Sequence, residues 1–263
     1  MNIRPIRQSV RPSPIFLAIV AITIGGGALA WLTPIPPDGR PPVLAYVGVF
    51  VFVVFGWLVS LCLHEFGHAY TAWRFGDHDV AVRGYLTLNP LKYASPMMSL
   101  GLPLLFIALG GIGLPGGAVW VRTWQMTPRQ RTIVSLAGPF ANAVLAVVLL
   151  TATALLYDDT HFVFWAAMAF LGFLQVTALV LNLLPVPGLD GYGALEPHLS
   201  RDLQAKLNPV KQWGLFVLLL LLFIPLFNKV FFGAVSDIVG LTGVDQQLVA
   251  WGNALTRFWS RWL

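Results

Sequence analysis

Charge is what this chain lacks most. Of 263 residues only 10% are Asp, Glu, Lys or Arg, against about 25% in an ordinary soluble domain. Only two glutamates occur, Glu65 and Glu196. Such a scarcity excludes a solvated globular surface. There is one cysteine, Cys62, which excludes any intrachain disulfide. The 16 basic residues give a net charge of +5, but they are spread over several loops and form no dense run, so nucleic-acid binding is not indicated.

What is present instead is apolar length. The composition is 57% hydrophobic and the mean hydropathy is +0.75. Segments 15–33, 43–63, 133–156 and 162–184 are each long enough to cross about 30 Å of hydrocarbon. A fifth candidate runs from Trp213 to about Ala234, with Lys229 able to snorkel. Segment 97–115 is apolar but broken by Pro103, Gly110, Gly111 and Gly113. The expected fold is an all-α polytopic membrane protein with about five to six transmembrane helices.

Orientation follows the basic residues, which favour the cytoplasmic side. Arg4, Arg7 and Arg11 precede the first span and place the N-terminus in the cytoplasm. Arg74, Arg83, Lys92, Arg122, Arg129 and Arg131 all fall between the second span and the one starting at Ile133. Both ends of that connection are then cytoplasmic, so segment 97–115 is expected to dip in and return as a re-entrant segment or hairpin. Asp158-Asp159 marks an outer turn. The C-terminal stretch 246–263 spaces Leu248, Trp251, Leu255, Trp259 and Trp262 at helical intervals. It reads either as an interfacial amphipathic helix or as an end packed on its neighbours.

Within this apolar background, His64-Glu65-Phe66-Gly67-His68 closes a stretch, Val43 to Leu63, without one charged residue. Ionisable groups in a membrane helix point to function. Residues four apart share a helix face, so His64 and His68 can hold one ion together. Glu65 is placed to take a proton from an attacking water and pass it to a leaving amine. H-E-x-x-H is a zinc-hydrolase pattern, and a catalytic zinc needs three protein ligands. Candidates for the third are His78, His161, His198, Asp190 and Glu196. His161 falls in the outer turn, His78 lies in a polar loop, and Cys62 points to another helix face. Asp190 is better placed. Asn182-Leu-Leu-Pro185-Val-Pro187-Gly188-Leu-Asp190-Gly191 ends a span on the histidine side, and its prolines and glycines break the helix there. An ordinary turn at Asp190-Gly191 is the plain alternative.

Three blocks together resemble the site-2 protease family of intramembrane zinc metalloproteases: His64 to His68, Ser135-Leu-Ala-Gly138-Pro139-Phe-Ala-Asn142, and Asn182 to Gly191. The resemblance covers about residues 44–195. It implies Zn2+ held by His64, His68 and Asp190, with Glu65 as the catalytic glutamate. It implies that Asn142 binds substrate or the developing oxyanion and that Asn182 orients backbone or substrate; the plain alternative is that Gly138 and Asn142, at i and i+4, serve helix packing and an interhelical hydrogen bond. No stretch is long and polar enough for a PDZ or cystathionine-β-synthase-type domain, so the form is minimal. Residues 84–90 and 116–121 resemble the family's short strands beside the active site, and read equally as plain cytoplasmic loops. The domain reading is an N-terminal anchor and outer loop (1–42), a catalytic membrane core (43–195), and a C-terminal helix with an amphipathic tail (196–263).

The implied activity is endopeptidase cleavage of transmembrane protein or peptide substrates near the cytoplasmic face of a bacterial cell membrane. The partners are then the substrate and the lipid bilayer, with self-association left open. The rival readings are a prenyl-protein protease using Glu196, and a metal transporter or inactive metal-binding scaffold.

Overall fold

The computed structural model describes residues 10–35, 39–93, 101, 105, 107 and 119–261. Most of segment 97–115, where the re-entrant reading falls, therefore lies outside the described residues.

Helix α1, Pro14–Trp31, starts where Pro14 sets the first turn and Ser13 Oγ accepts the Phe16 N–H at 3.1 Å. Helix α2, Val43–Arg74, runs 32 residues. At about 1.5 Å per residue it is longer than the hydrocarbon core is thick, so the histidine motif belongs to one uninterrupted helix. Glycines let α1 and α2 cross closely. A Cβ on Gly26 would stand 2.6 Å from the Phe52 nitrogen, and one on Gly48 would stand 2.8 Å from the Ala30 nitrogen. Small residues at such crossings substitute for a hydrophobic driving force, which is absent between helices in lipid.

After α2 come the short helix α3, Asp79–Val82, and a 3-10 turn at Tyr85–Thr87. Helix α4, Pro128–Leu156, opens with a capping box in which Thr127 and Gln130 satisfy each other's backbone N–H groups. Helix α5, Phe162–Leu183, is the most enclosed of the long helices and packs against α1, α2 and α4. Helices α6 (Asp190–Leu195) and α7 (Arg201–Leu207) then lead into α8 (Gly214–Phe223), α9 (Pro225–Gly240) and α10 (Gln246–Thr256).

One expectation changes, and two readings left open by the sequence are decided. Among the described residues four helices are long and apolar enough to cross a membrane, or five if the bent segment ending at Phe223 counts as one span. The fifth span read from Trp213 to Ala234 is not continuous. Pro225 forces Ile224 into an extended conformation, ψ 116, and the chain restarts as α9. No strand occurs among the described residues. Segment 84–90 is instead the 3-10 turn, bounded by Gly84 and Leu88, both left-handed (φ 79 and 56). Of segment 116–121, residues 116–118 lie outside the described residues and 119–121 are irregular. Finally, the C-terminal helix α10 packs on the bundle: Leu248, Val249 and Leu255 are buried, and Gly252 presses on the Ala166 carbonyl.

Antiparallel packing gathers functional ends together. The C-terminal part of α2, the start of α4, the end of α5 and α6 share one end of the bundle. The start of α1 joins them through the Ser13 N–H, which donates to the Thr87 carbonyl at 2.8 Å.

Candidate metal centre

Two helical turns of α2 carry His64 and His68, and both are buried. The loop after α5 brings the third group. Pro187 and Gly188 occupy the middle of a turn closed by the Leu189 N–H on the Val186 carbonyl at 3.0 Å. Gly188 has φ +102, which an L side chain rarely adopts. Gly191 then sits directly on the Leu183 carbonyl, seating α6 on the end of α5. Asp190 is the first residue of α6 and faces α2.

The three ligand groups converge. His64 Nε2 lies 3.2 Å from Asp190 Oδ2, His68 Nε2 lies 3.4 Å from Asp190 Oδ1, and the two Nε2 atoms are 3.1 Å apart. Ligand atoms held tetrahedrally about 2.0–2.1 Å from zinc stand about 3.3 Å from one another. Each imidazole is steered from behind. His68 Nδ1 meets the Val134 carbonyl at 2.7 Å, and His64 Nδ1 meets Asn142 Oδ1 at 2.6 Å. An acceptor at Nδ1 puts the proton there and leaves the Nε2 lone pair facing the centre.

The site therefore calls for a cation. Asp190 Oδ2 is buried without a hydrogen-bond donor. Burial alone would raise the Asp190 carboxyl, but His68 and His64, when they carry the balancing proton, hold it below the usual carboxylate range. Room is reserved as well. A Cβ on Gly138 of α4 would clash with His68 Nε2 and stand 2.6 Å from His64 Nε2. Among the described residues His64, His68 and Asp190 form the one group of three able to hold a metal ion.

Comparison with known proteins settles the family. The Mycolicibacterium smegmatis protein "Putative zinc metalloprotease Rip2" is 64% identical over 262 residues, which is 100% of each chain. The Mycobacterium tuberculosis protein of that name is 63% identical over 256 residues, 97% of each chain. The similarly named YwhC of Bacillus subtilis is 31% identical over 189 residues, covering 66% of this chain and 81% of that one. The sequence profile of Peptidase family M50 matches residues 51–162. The chain belongs to peptidase family M50. No solved structure matches it.

As an M50 member the chain is an integral membrane metalloprotease, and its zinc fits the His64, His68 and Asp190 set. Glu65 is buried on α2, and its Oε2 accepts the Val119 N–H at 3.0 Å. Val119, the first described residue of segment 116–121, thus lies beside Glu65 in irregular chain. Asn142 is 3% exposed, with Oδ1 on His64 and Nδ2 donating to Gln175 Oε1 at 2.8 Å. Asn182 is buried in the last turn of α5 and makes no hydrogen bond to the three ligand residues among the described contacts.

The other candidates lie elsewhere. His161 stacks on Trp31, ring centroids 3.5 Å apart, at the opposite end of the bundle. His198 Nε2 meets Thr132 Oγ1 at 2.9 Å. Glu196 pairs with Lys211 at 2.5 Å and Arg131 at 3.7 Å, which leaves the prenyl-protease reading without its ligand. Gly67 lies inside the motif, directly before His68. It serves the crossing with α4, since its Cβ would stand 2.7 Å from the Ala137 carbonyl.

Sequence reasoning gave Gly138 a helix-packing role without its closeness to the histidine rings, and passed over Gln175 altogether. An amide in the middle of an apolar span was the available signal for the second.

Proposed function

We propose that this M50 protease hydrolyses peptide bonds in membrane-spanning or membrane-adjacent segments near the cytoplasmic face. The observation that carries the proposal is the spacing of His64, His68 and Asp190 at 3.1–3.4 Å, with Glu65 beside them at one end of a membrane bundle. That end also holds Arg74, Arg83, Arg122 and Arg131, which supports a cytoplasmic position by the excess of basic residues.

A bound zinc ion supplies Lewis-acid polarisation of the scissile carbonyl and acidifies water. The chain's own residues do the rest. Glu65 takes a proton from water at its carboxylate and returns it to the leaving amine. The Val119 N–H fixes the carboxylate's rotamer. We assign Asn142 to holding His64 in place, in preference to the substrate or oxyanion role that the resemblance implied. A helical substrate hides its carbonyls in its own hydrogen bonds and must unwind locally before it reaches this centre.

The test uses purified full-length protein in liposomes with a panel of transmembrane peptides and, as a control, soluble peptides of matched sequence. Cleavage confined to membrane-inserted peptides, reduced about 10²–10⁴-fold in Glu65→Gln, is the expected result. Equal rates for Glu65→Gln and wild type would overturn the chemistry. Cleavage of soluble peptides alone would overturn the substrate class.

A further inference from the structure

Behind His64 a line of buried polar groups runs deeper into the bundle. Asn142 Nδ2 on α4 donates to Gln175 Oε1 on α5 at 2.8 Å. Gln175 Nε2 donates to Ser60 Oγ on α2 at 3.0 Å. Ser60 Oγ donates to the Trp57 carbonyl at 2.8 Å. Gln175 is 0% exposed, and an amide buried among apolar helices needs a reason to be there. Three helices contribute to this line, and it ends at a metal ligand.

A chain of amides has two self-consistent directions. In the one present, Asn142 turns its carbonyl to His64 Nδ1, so the ring carries its proton there and keeps the Nε2 lone pair. In the reverse direction Gln175 would turn its carbonyl to the Ser60 hydroxyl and its NH2 to Asn142 Oδ1. Asn142 would then present its NH2 to His64 Nδ1, drive the proton to Nε2, and block the ligand atom. The direction is set at the far end. The Trp57 carbonyl can only accept, so it holds the Ser60 hydroxyl turned towards it, and the Ser60 oxygen is left to accept from Gln175.

We propose that Gln175 and Ser60 are positioning residues that fix the metal-binding tautomer of His64 through Asn142. Neither touches the metal or the substrate. Their effect is on zinc affinity, because partners behind a ligating histidine set both its tautomer and its orientation. The proposal rests on His64 being a zinc ligand and is independent of what the protease cleaves.

Two measurements on the purified full chain test it: zinc affinity by chelator competition, and the ring 15N shifts of His64 in metal-free protein. Wild type is expected to show His64 protonated at Nδ1. Gln175→Leu should weaken zinc binding about 10–100-fold and give a mixture of His64 tautomers. Ser60→Ala should shift both readouts the same way by a smaller amount. Ser60→Thr should restore them, since a helical threonine hydroxyl also reaches the carbonyl one turn back.

The proposal is overturned if Gln175→Leu keeps wild-type affinity. It is equally overturned if affinity falls while His64 stays wholly in its Nδ1–H form, the mark of a general packing defect. Should Gln175→Leu not fold, the Ser60 pair decides: equal affinities for Ser60→Ala and Ser60→Thr overturn it. Wild-type protein that bound zinc but cleaved nothing would sink the functional reading and leave this one standing.

Discussion

Gly138 on α4 and His68 on α2 approach so closely that a Cβ on the glycine would clash with the Nε2 atoms of both His68 and His64. The absence of a side chain at Gly138 therefore keeps space open between the proposed zinc ligands. Gly138→Ala is expected to lower zinc content by about tenfold or more while the helical content seen by circular dichroism stays near wild type. Full zinc occupancy in Gly138→Ala would show that the helices separate easily and that the close approach has no such role.

Gly191 places Asp190 in the same indirect manner. Its backbone rests on the Leu183 carbonyl, so a methyl group there must push α6 away from α5. Gly191→Ala is expected to destabilise the protein by about 1–3 kcal/mol, as overpacking typically does, and to weaken zinc binding as well. A thermal melt and a zinc titration on the same sample check both. Lost stability with intact zinc affinity would mean that Asp190 is positioned from elsewhere.

Much of this centre was legible in the sequence, and the reason is local periodicity. His64 and His68 are four apart in an apolar run, so any helix there must bring them together. Pro185, Pro187 and Gly188 interrupt the next apolar run, so Asp190 had to leave the span where it does. Gly138 and Gln175 obey no such rule. Their roles depend on which faces of α2, α4 and α5 meet, and pairs as far apart in the chain as Gly138 and His68 or Gln175 and Ser60 carry no spacing signal. The fold diverged for a similar reason. Pro225 was visible within the apolar run, but length alone suggested a continuous span, and the backbone break it imposes outweighed that length. The strands expected from resemblance depended on pairing partners, which periodicity does not supply.

Zinc should also act as a stabilising ligand. Three residues from separate elements, α2 and the start of α6, come together only in the folded chain, so metal binds the native state in preference to the unfolded one. At a hundredfold excess over its dissociation constant a ligand adds about 2.7 kcal/mol. Zinc is expected to raise the unfolding temperature of wild type and to leave that of Asp190→Ala and His64→Ala unchanged. Equal shifts in Asp190→Ala and wild type would remove Asp190 from the ligand set.

At the other end of the bundle Asp158 governs an acid-sensitive joint. Its Oδ2 accepts the Trp165 indole N–H at 3.0 Å, and its Oδ1 accepts the His161 backbone N–H at 3.0 Å, while the His161 ring stacks on Trp31. The contact thereby ties the end of α1 to the start of α5. The Trp165 and His161 hydrogen bonds hold the Asp158 carboxyl down to about 2, below its ordinary value of about 3.9. A carboxyl depressed by folding stabilises the folded state above its unfolded value, and that contribution fades as pH falls through the folded one. Asp158→Asn should therefore melt below wild type near neutral pH, with the gap closing between about pH 4 and pH 2. Tryptophan fluorescence melts across that range check it. A gap that stayed constant down to pH 2 would place the effect in packing around Trp31 and Trp165 and remove the Asp158 charge from the account.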